Sequence, residues 1–357
     1  MRKNLHIFVD SHSQKSLDLR IDKERNGHVI SGEFYQGEIR YPIIGGIPRF
    51  IDKSFYTQST QTSEGLTSES FGYKWREKRS KRLGARSDDV RFLREQFLAV
   101  LGCQSLGELK TLLKNANYTL NAGCGVAWSE YLFNYGQKTM RHCIDLSLAV
   151  ETAYLQTQKL ENVIVSQASL FNLPYRDETF DIVYSIGVLH HTSDPPKAFF
   201  SLVKKVKPGG LIGIYIYNKK PFLRELADHK VRKITVNMSY QECMKFSRQM
   251  TNLGKALSHI KTPLRIKEGI PLLGIKKGTY TLQQFVYNYF IKCWYNEMLD
   301  RKYADLVNQD WYHPYFASHH TREEIIDWFK QARMKNIKFL QPKGWENSGY
   351  FVSGRKR

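Results

Sequence analysis

Only five cysteines occur in 357 residues, at positions 103, 124, 143, 243 and 293, and none is spaced as a CxxC pair. That spacing leaves no zinc-ligand set and no disulfide framework, so reduced thiols are the simplest reading. Long apolar runs are missing as well. No window reaches the length of a membrane span, and the run after Met1-Arg2-Lys3 is broken by His6 and Asp10, too early for a signal-peptide core. The expected location is the cytoplasm. Acidic residues are the third scarcity, because 34 Asp and Glu stand against 54 Lys and Arg, a formal charge of +20. The excess predicts attraction to anionic partners, which could be RNA, a membrane surface, or a phosphorylated or carboxylated small molecule. The length suits a core domain with one or two additions.

Glycine is concentrated where it matters, in Leu120-Asn121-Ala122-Gly123-Cys124-Gly125. Tyr118 to Leu120 read as the end of a buried strand, and Gly123 and Gly125 let the backbone turn tightly and approach a ligand. The dinucleotide fingerprint wants a third glycine where Trp128 stands. An indole there is expected to block a pyrophosphate lying against the helix start. Further on, Arg141-His142-Cys143-Ile144-Asp145 reads as a second strand ending in an acid, one βαβ step after Gly123. A third strand covers 162–166, a fourth with its loop 180–191, and the turn Lys207-Pro208-Gly209-Gly210 leads into a fifth.

With Gly123, Gly125 and Ala127 in its first turn, this ordered set resembles class I S-adenosylmethionine-dependent methyltransferases, in the branch called methyltransferase type 11. The resemblance is dense over 118–217 and loose elsewhere. It implies an α/β fold, a Rossmann-like seven-stranded sheet with helices on both faces. It also implies S-adenosyl-L-methionine as cofactor and S-adenosyl-L-homocysteine as product. The Gly123 and Gly125 amides and the helix that follows would hold the methionine carboxylate. Asp145, with Leu146 beside it, would take the ribose hydroxyls. Ser169 stands where the family usually has an Asp for the adenine, and a hydroxyl accepts more weakly; Leu170 would offer its amide and apolar surface to the ring. Asn121 likewise replaces an acid, next to Ala122, and loses a charge that would complement the cationic end of the cofactor. Ser185 closes the fourth strand and completes the expected pocket.

Before this core, residues up to about 55 read as short strands, and Tyr41-Pro42-Ile43-Ile44-Gly45-Gly46 resembles the zinc-ribbon-like module of some relatives without its cysteines. An ordinary β-rich extension reads equally well. Residues 56–70 are rich in Ser, Thr and Gln and are expected to be a linker. Phe71-Gly72-Tyr73-Lys74-Trp75 reads either as an aromatic cover for the sulfonium, with Trp75 on the cofactor, or as core packing. The stretch 56–117 is thus linker and helical cover. After the fifth strand, 219–320 is an insertion with helical spacing over 239–260 and 282–299, expected as a basic, substrate-recognising lid. The last core helix and a final β-hairpin fill 321–357.

Candidates for catalysis are His190 and His191 after the fourth strand, and Tyr315, His319 and His320 before the last helix. Histidine titrates near the working pH and suits hydroxyl activation. Thr321 also reads as a cap for that helix, with Glu324 completing a capping box. No carboxylate or cysteine is spaced to complete a metal site with these histidines. Asp194-Pro195-Pro196 resembles a base-methylation signature, but it lies too far past the strand end and Lys197 replaces the stacking aromatic. The expected activity is methyl transfer to a polar or anionic small molecule, of the natural-product or sugar type. An RNA methyltransferase and a non-catalytic binding protein with an eroded pocket are the alternatives.

Overall fold

The computed structural model describes residues 7–51, 55, 62–77, 87–136, 138–342, 345 and 347–357, with the side chains of 73–77 and 87–89 outside the description. Alternating polar and apolar residues build an N-terminal antiparallel run of Asp18–Arg25 (β1), His28–Gln36 (β2), Ile39–Ile44 (β3) and Ile47–Phe50 (β4). Apolar, β-branched runs then form Tyr118–Ala122 (β5), Met140–Asp145 (β6), Val163–Ala168 (β7), Phe180–Ile186 (β8) and Val206–Tyr217 (β9). Nearly every residue of these strands is buried, as a parallel sheet covered on both faces requires. The chain next forms a separate helical unit that holds the short hairpin Leu264–Ile266 (β10) and Gly278–Tyr280 (β11). It returns with Met334–Leu340 (β12) and Gly349–Lys356 (β13).

The sheet runs in the order β1-β2-β3-β4-β7-β6-β5-β8-β9-β13-β12. It has eleven strands rather than the seven expected, because β4 pairs in parallel with the edge strand β7, Arg49 opposite Gln167 and Phe50 opposite Ala168. A buried hydrogen bond of 2.8 Å from Arg49 Nη1 to Gln167 Oε1 locks the seam. Phe8 packs against Phe34, Phe50, Tyr175 and His142, so the N-terminal strands share the main apolar core. From β5 the strands step outward to β6 and β7, then resume on the other side with β8 and β9. Such a reversal leaves a crevice at the carboxyl ends, where open α/β sheets take their ligands.

The chain divides into two compact units, one running up to Tyr217 and resuming at His320–Arg357, the other Asn218–His319. Two local expectations are corrected. Part of the Ser/Thr-rich stretch is helix, Ser63–Glu77, begun by Thr62, whose Oγ1 accepts the Gly65 amide at 3.1 Å; residues 56–61 lie outside the described residues. The helix expected over 282–299 ends at Tyr289. Beyond it the backbone is held by tertiary bonds instead: the Lys292 amide donates to Asp228 Oδ1 (3.3 Å), and Asn308 pairs with both the amide and the carbonyl of Trp294 (2.9 and 3.0 Å). Buried side-chain partners there outcompete the helical ladder.

Candidate functional site

At the end of β5 the backbone turns through Gly123 at φ +79°, and a Cβ there would lie 2.4 Å from Val188 Cγ2. Only glycine closes this turn. The amides of Gly123 and Cys124 donate to Ile144 O at 2.8 Å, and the Gly125 amide donates to Asp145 Oδ2 at 2.9 Å. Asp145 Oδ1 accepts from the Ser147 amide (2.8 Å) and hydroxyl (2.7 Å). Burial pushes the Asp145 carboxyl up, against the pull of these donors. The Gly123 and Gly125 amides, expected to face a ligand carboxylate, donate within the fold in this structure. Both are committed to β6, and the glycines serve to bring the β5 loop onto the acid.

Two further expectations change here. The helix after the loop, Trp128–Leu132, is a single turn entered through Ala127 at φ 55°, so it adds little macrodipole. The Trp128 indole does not obstruct the turn; it packs edge-on against Phe97 and Phe133 in a neighbouring apolar cluster.

Beneath the loop lies a group that sequence reasoning missed. Glu130 is fully buried, and its carboxylate accepts Asn121 Nδ2 (3.0 and 3.2 Å), the Ser129 hydroxyl (2.9 Å) and the Tyr184 hydroxyl. Asn121 Nδ2 also donates to Ser129 Oγ at 3.1 Å. The acid that Asn121 lacks thus returns nine residues later, hydrogen-bonded to the Asn121 amide. An acidic side chain in a short apolar turn directly after a glycine loop is the one sequence signal that pointed to it.

The remaining cofactor candidates sort by what they touch. Ser185 Oγ donates to Ala122 O at 2.8 Å and is buried, a latch between β8 and β5. Leu146 O accepts from Gln167 Nε2 at 2.7 Å. Ser169 Oγ accepts the Phe171 amide at 3.2 Å, and Leu170 O accepts from the Ser201 hydroxyl. Parallel register brings Asn121 to Gly125, Asp145 and Leu146, and Ser169 and Leu170 to one edge of the sheet, because β5, β6 and β7 are adjacent and in step. The Trp75 side chain lies outside the described residues.

The histidines differ in what they touch. His190 is fully buried and stacked on Tyr217, 3.6 Å between centroids, and its Nδ1 accepts the Tyr217 amide at 3.3 Å. In the neutral ring the proton then sits on Nε2, which makes that nitrogen a donor rather than a base. His191 lies between the rings of Phe71 and Tyr217. His320 meets Trp328 edge-on and Glu324 at 3.6 Å, next to the capping box formed by Thr321 and Glu324. Tyr315 and His319 belong to the helical unit. Tyr315 is exposed beside Phe316, and His319 Nδ1 donates to Glu225 at 2.8 Å while its ring stacks on Trp311. Burial lowers the His319 pKa despite that partner. Among the described residues no three His, Cys, Asp or Glu are grouped as metal ligands.

Residues 120–214 match the family model described as "Methyltransferase domain". Phosphoethanolamine N-methyltransferase 1 of Zea mays is 28% identical over 116 residues, covering 31% of this chain and 23% of that protein. A tRNA (carboxymethyluridine(34)-5-O)-methyltransferase of Arabidopsis thaliana is 35% identical over 108 residues, 29% of this chain and 25% of that protein. The chain thus matches about a quarter of the length of these relatives. Among solved structures, magnesium protoporphyrin IX methyltransferase from Synechocystis with bound S-adenosylhomocysteine aligns at a TM-score of 0.43 and 13% identity, over 82% of this chain and 99% of that one. Among the described residues no helix is long and apolar enough to cross a membrane.

Proposed function

We propose that the protein transfers a methyl group from S-adenosyl-L-methionine to a polar or anionic small molecule. The observation that carries the reading is the Asp145 carboxylate at the end of β6, hydrogen-bonded to the glycine turn of β5 at the reversal of strand order. The residues fit the cofactor. Asp145 is half-buried, and with one donor on Oδ2 and two on Oδ1 its carboxylate keeps acceptor capacity for ribose hydroxyls. Ser169 and Leu170, at the end of the adjacent strand, suit an adenine edge and face. Asn121, hydrogen-bonded to the buried Glu130, supplies a polar wall whose negative charge favours an ammonium group.

When bound, the cofactor supplies an electrophilic methyl group whose transfer needs only in-line approach of a nucleophile. The chain's own residues hold that geometry. Gly123 keeps the turn close, Ser185 latches β8 to β5, and His190 and Tyr217 stack to wall the strand ends. Removal of an acceptor proton falls to His191 or His320 rather than to His190, whose Nδ1 is occupied. The inserted helical unit supplies acceptor recognition, and the N-terminal strands are the β-remnant of a zinc-ribbon-like module with a structural role.

Support for a small acceptor comes from the phosphoethanolamine methyltransferase among the relatives, together with the net charge of +20. The tRNA methyltransferase and the same charge favour RNA as the second reading. Calorimetry with S-adenosylmethionine tests the first step, and Asp145→Ala is expected to weaken binding by about 10- to 100-fold through loss of charge-assisted hydrogen bonds. Unchanged affinity in that variant removes the cofactor assignment. Isotopic methyl transfer to a pool of phosphorylated and carboxylated metabolites, with total RNA in a parallel reaction, separates the acceptor classes. Label appearing in RNA alone reverses the ranking.

A further inference from the structure

The strongest chemistry that the methyltransferase core does not absorb lies inside the helical unit Asn218–His319. Three cations converge on one indole. Lys220 Nζ lies 5.3 Å, Arg224 Cζ 5.2 Å and Lys292 Nζ 4.9 Å from the Trp311 ring centroid. Lys220 is 8%, Arg224 1%, Lys292 5% and Trp311 1% exposed, so none of the cations is a solvated surface charge. Such burial is rare for basic side chains without compensation.

The two carboxylates hydrogen-bonded within the cluster are already engaged. Asp228 Oδ2 accepts from Arg224 Nε at 2.5 Å and from Trp311 Nε1 at 2.8 Å, and its other oxygen takes the Lys292 amide. Glu225 accepts from His319 and from the Lys220 amide. Arg224 also donates through Nη1 to Tyr287 O, but its Nη2 is buried with no hydrogen-bond partner. A buried guanidinium nitrogen without an acceptor is costly and points to a missing one. The indole and the Tyr287 ring, 5.0 Å from Arg224 Cζ, soften the repulsion without supplying a charge.

We propose that Lys220, Arg224 and Lys292, gathered on Trp311, bind an oxyanion, a phosphate monoester or a carboxylate, with Arg224 Nη2 donating to one oxygen and the two ammonium groups to the others. Planar guanidinium and flexible ammonium groups are the ordinary complement of such an anion. Burial and the neighbouring cations push the Lys220 pKa well down and the Lys292 pKa down to about 7, and a bound anion would oppose both. That the anion belongs to the methyl acceptor rests on the function proposed above; the binding itself does not.

Titration of the full chain with inorganic phosphate, and in parallel with malonate and with chloride at matched ionic strength, tests the site by thermal shift and calorimetry. Saturable one-site binding of phosphate or malonate with a rise in Tm, absent with chloride, is expected. The stronger of the two probes identifies the oxyanion class. Lys292→Met is expected to lower that affinity more than tenfold while raising the Tm of the anion-free protein, since it removes repulsion among buried cations. Arg224→Met should lower affinity as far, and Lys292→Met keeps the test open where Arg224→Met fails to fold. Binding of S-adenosylmethionine, measured on the same samples, should stay unchanged, so failure here is distinct from failure of the methyltransferase reading. Overturning results are a response no larger than that to chloride, or a Lys292→Met protein that binds the anion as tightly as the natural one.

Discussion

Single residues of this protein place ionisable groups where their charged form is costly. His142, in β6, is fully buried among Phe8, Tyr118, Tyr175 and Phe180, and neither ring nitrogen has a hydrogen-bond partner. Burial lowers its pKa from the ordinary 6.5 to about 3. The folded value lies below the unfolded one, so the unfolded chain takes up the proton first. The stabilisation is complete above pH 6.5 and declines as pH falls toward 3, by about 1.4 kcal/mol per pH unit. Denaturant unfolding at pH 7 and pH 5 should show that loss in the natural protein, with a smaller loss in His142→Phe; parallel pH profiles for the two proteins contradict the assignment. Asp145 was legible in the chain because its distance from Gly123 matches one βαβ step. Glu130 was not, since its role depends on a single helical turn folding back beneath Asn121.

Elements show where local pattern and tertiary bonding compete. Apolar spacing carries a helix from Leu282 onward, yet the helix ends at Tyr289, because Asn308, Asp228 and the Tyr312 hydroxyl take the next backbone groups. Asn308 is fully buried and also donates to Thr251 Oγ1 at 3.0 Å. Asn308→Ala would strand the amide and carbonyl of Trp294, and it is expected to cost about 3 kcal/mol, read as a lower denaturant midpoint with an unchanged m-value. A loss below about 1 kcal/mol would mean that water takes over those groups. The caps, by contrast, behave as their short-range chemistry requires. Thr321 with Glu324 and Ser239 with Glu242 both form complete capping boxes, because the partners lie three residues apart and need no other part of the fold.

For the molecule as a whole, the N-terminal strands are structurally continuous with the core. Phe8 contacts rings from β2, β4 and β6, and β4 extends the parallel sheet through Arg49 and Gln167. Phe8→Ala should therefore destabilise by about 3–5 kcal/mol. Hydrogen exchange is the direct check, because β5 to β8 should lose protection together with β2 to β4. Loss confined to β1–β4 would make the N-terminal strands an independent module. At the same scale, the basic side chains counted in the formal +20 are not all on the surface: Lys220, Arg224 and Lys292 are buried inside the helical unit around Trp311.

Residue order alone determined the glycine turn, the strand-end acid, the parallel core strands and the helix caps, all of which depend on spacing within about one βαβ unit. Tertiary structure decided what spacing cannot encode. The count of eleven strands follows from an edge pairing between residues 118 positions apart. The direction of the Trp128 indole follows from the cluster it meets, and the acceptors of the glycine amides follow from the approach of β6. Which lysines lose their water is decided in the same way. Burial is a property of the packed chain, and a Lys in a basic run reads identically whether solvent or an indole lies beside it.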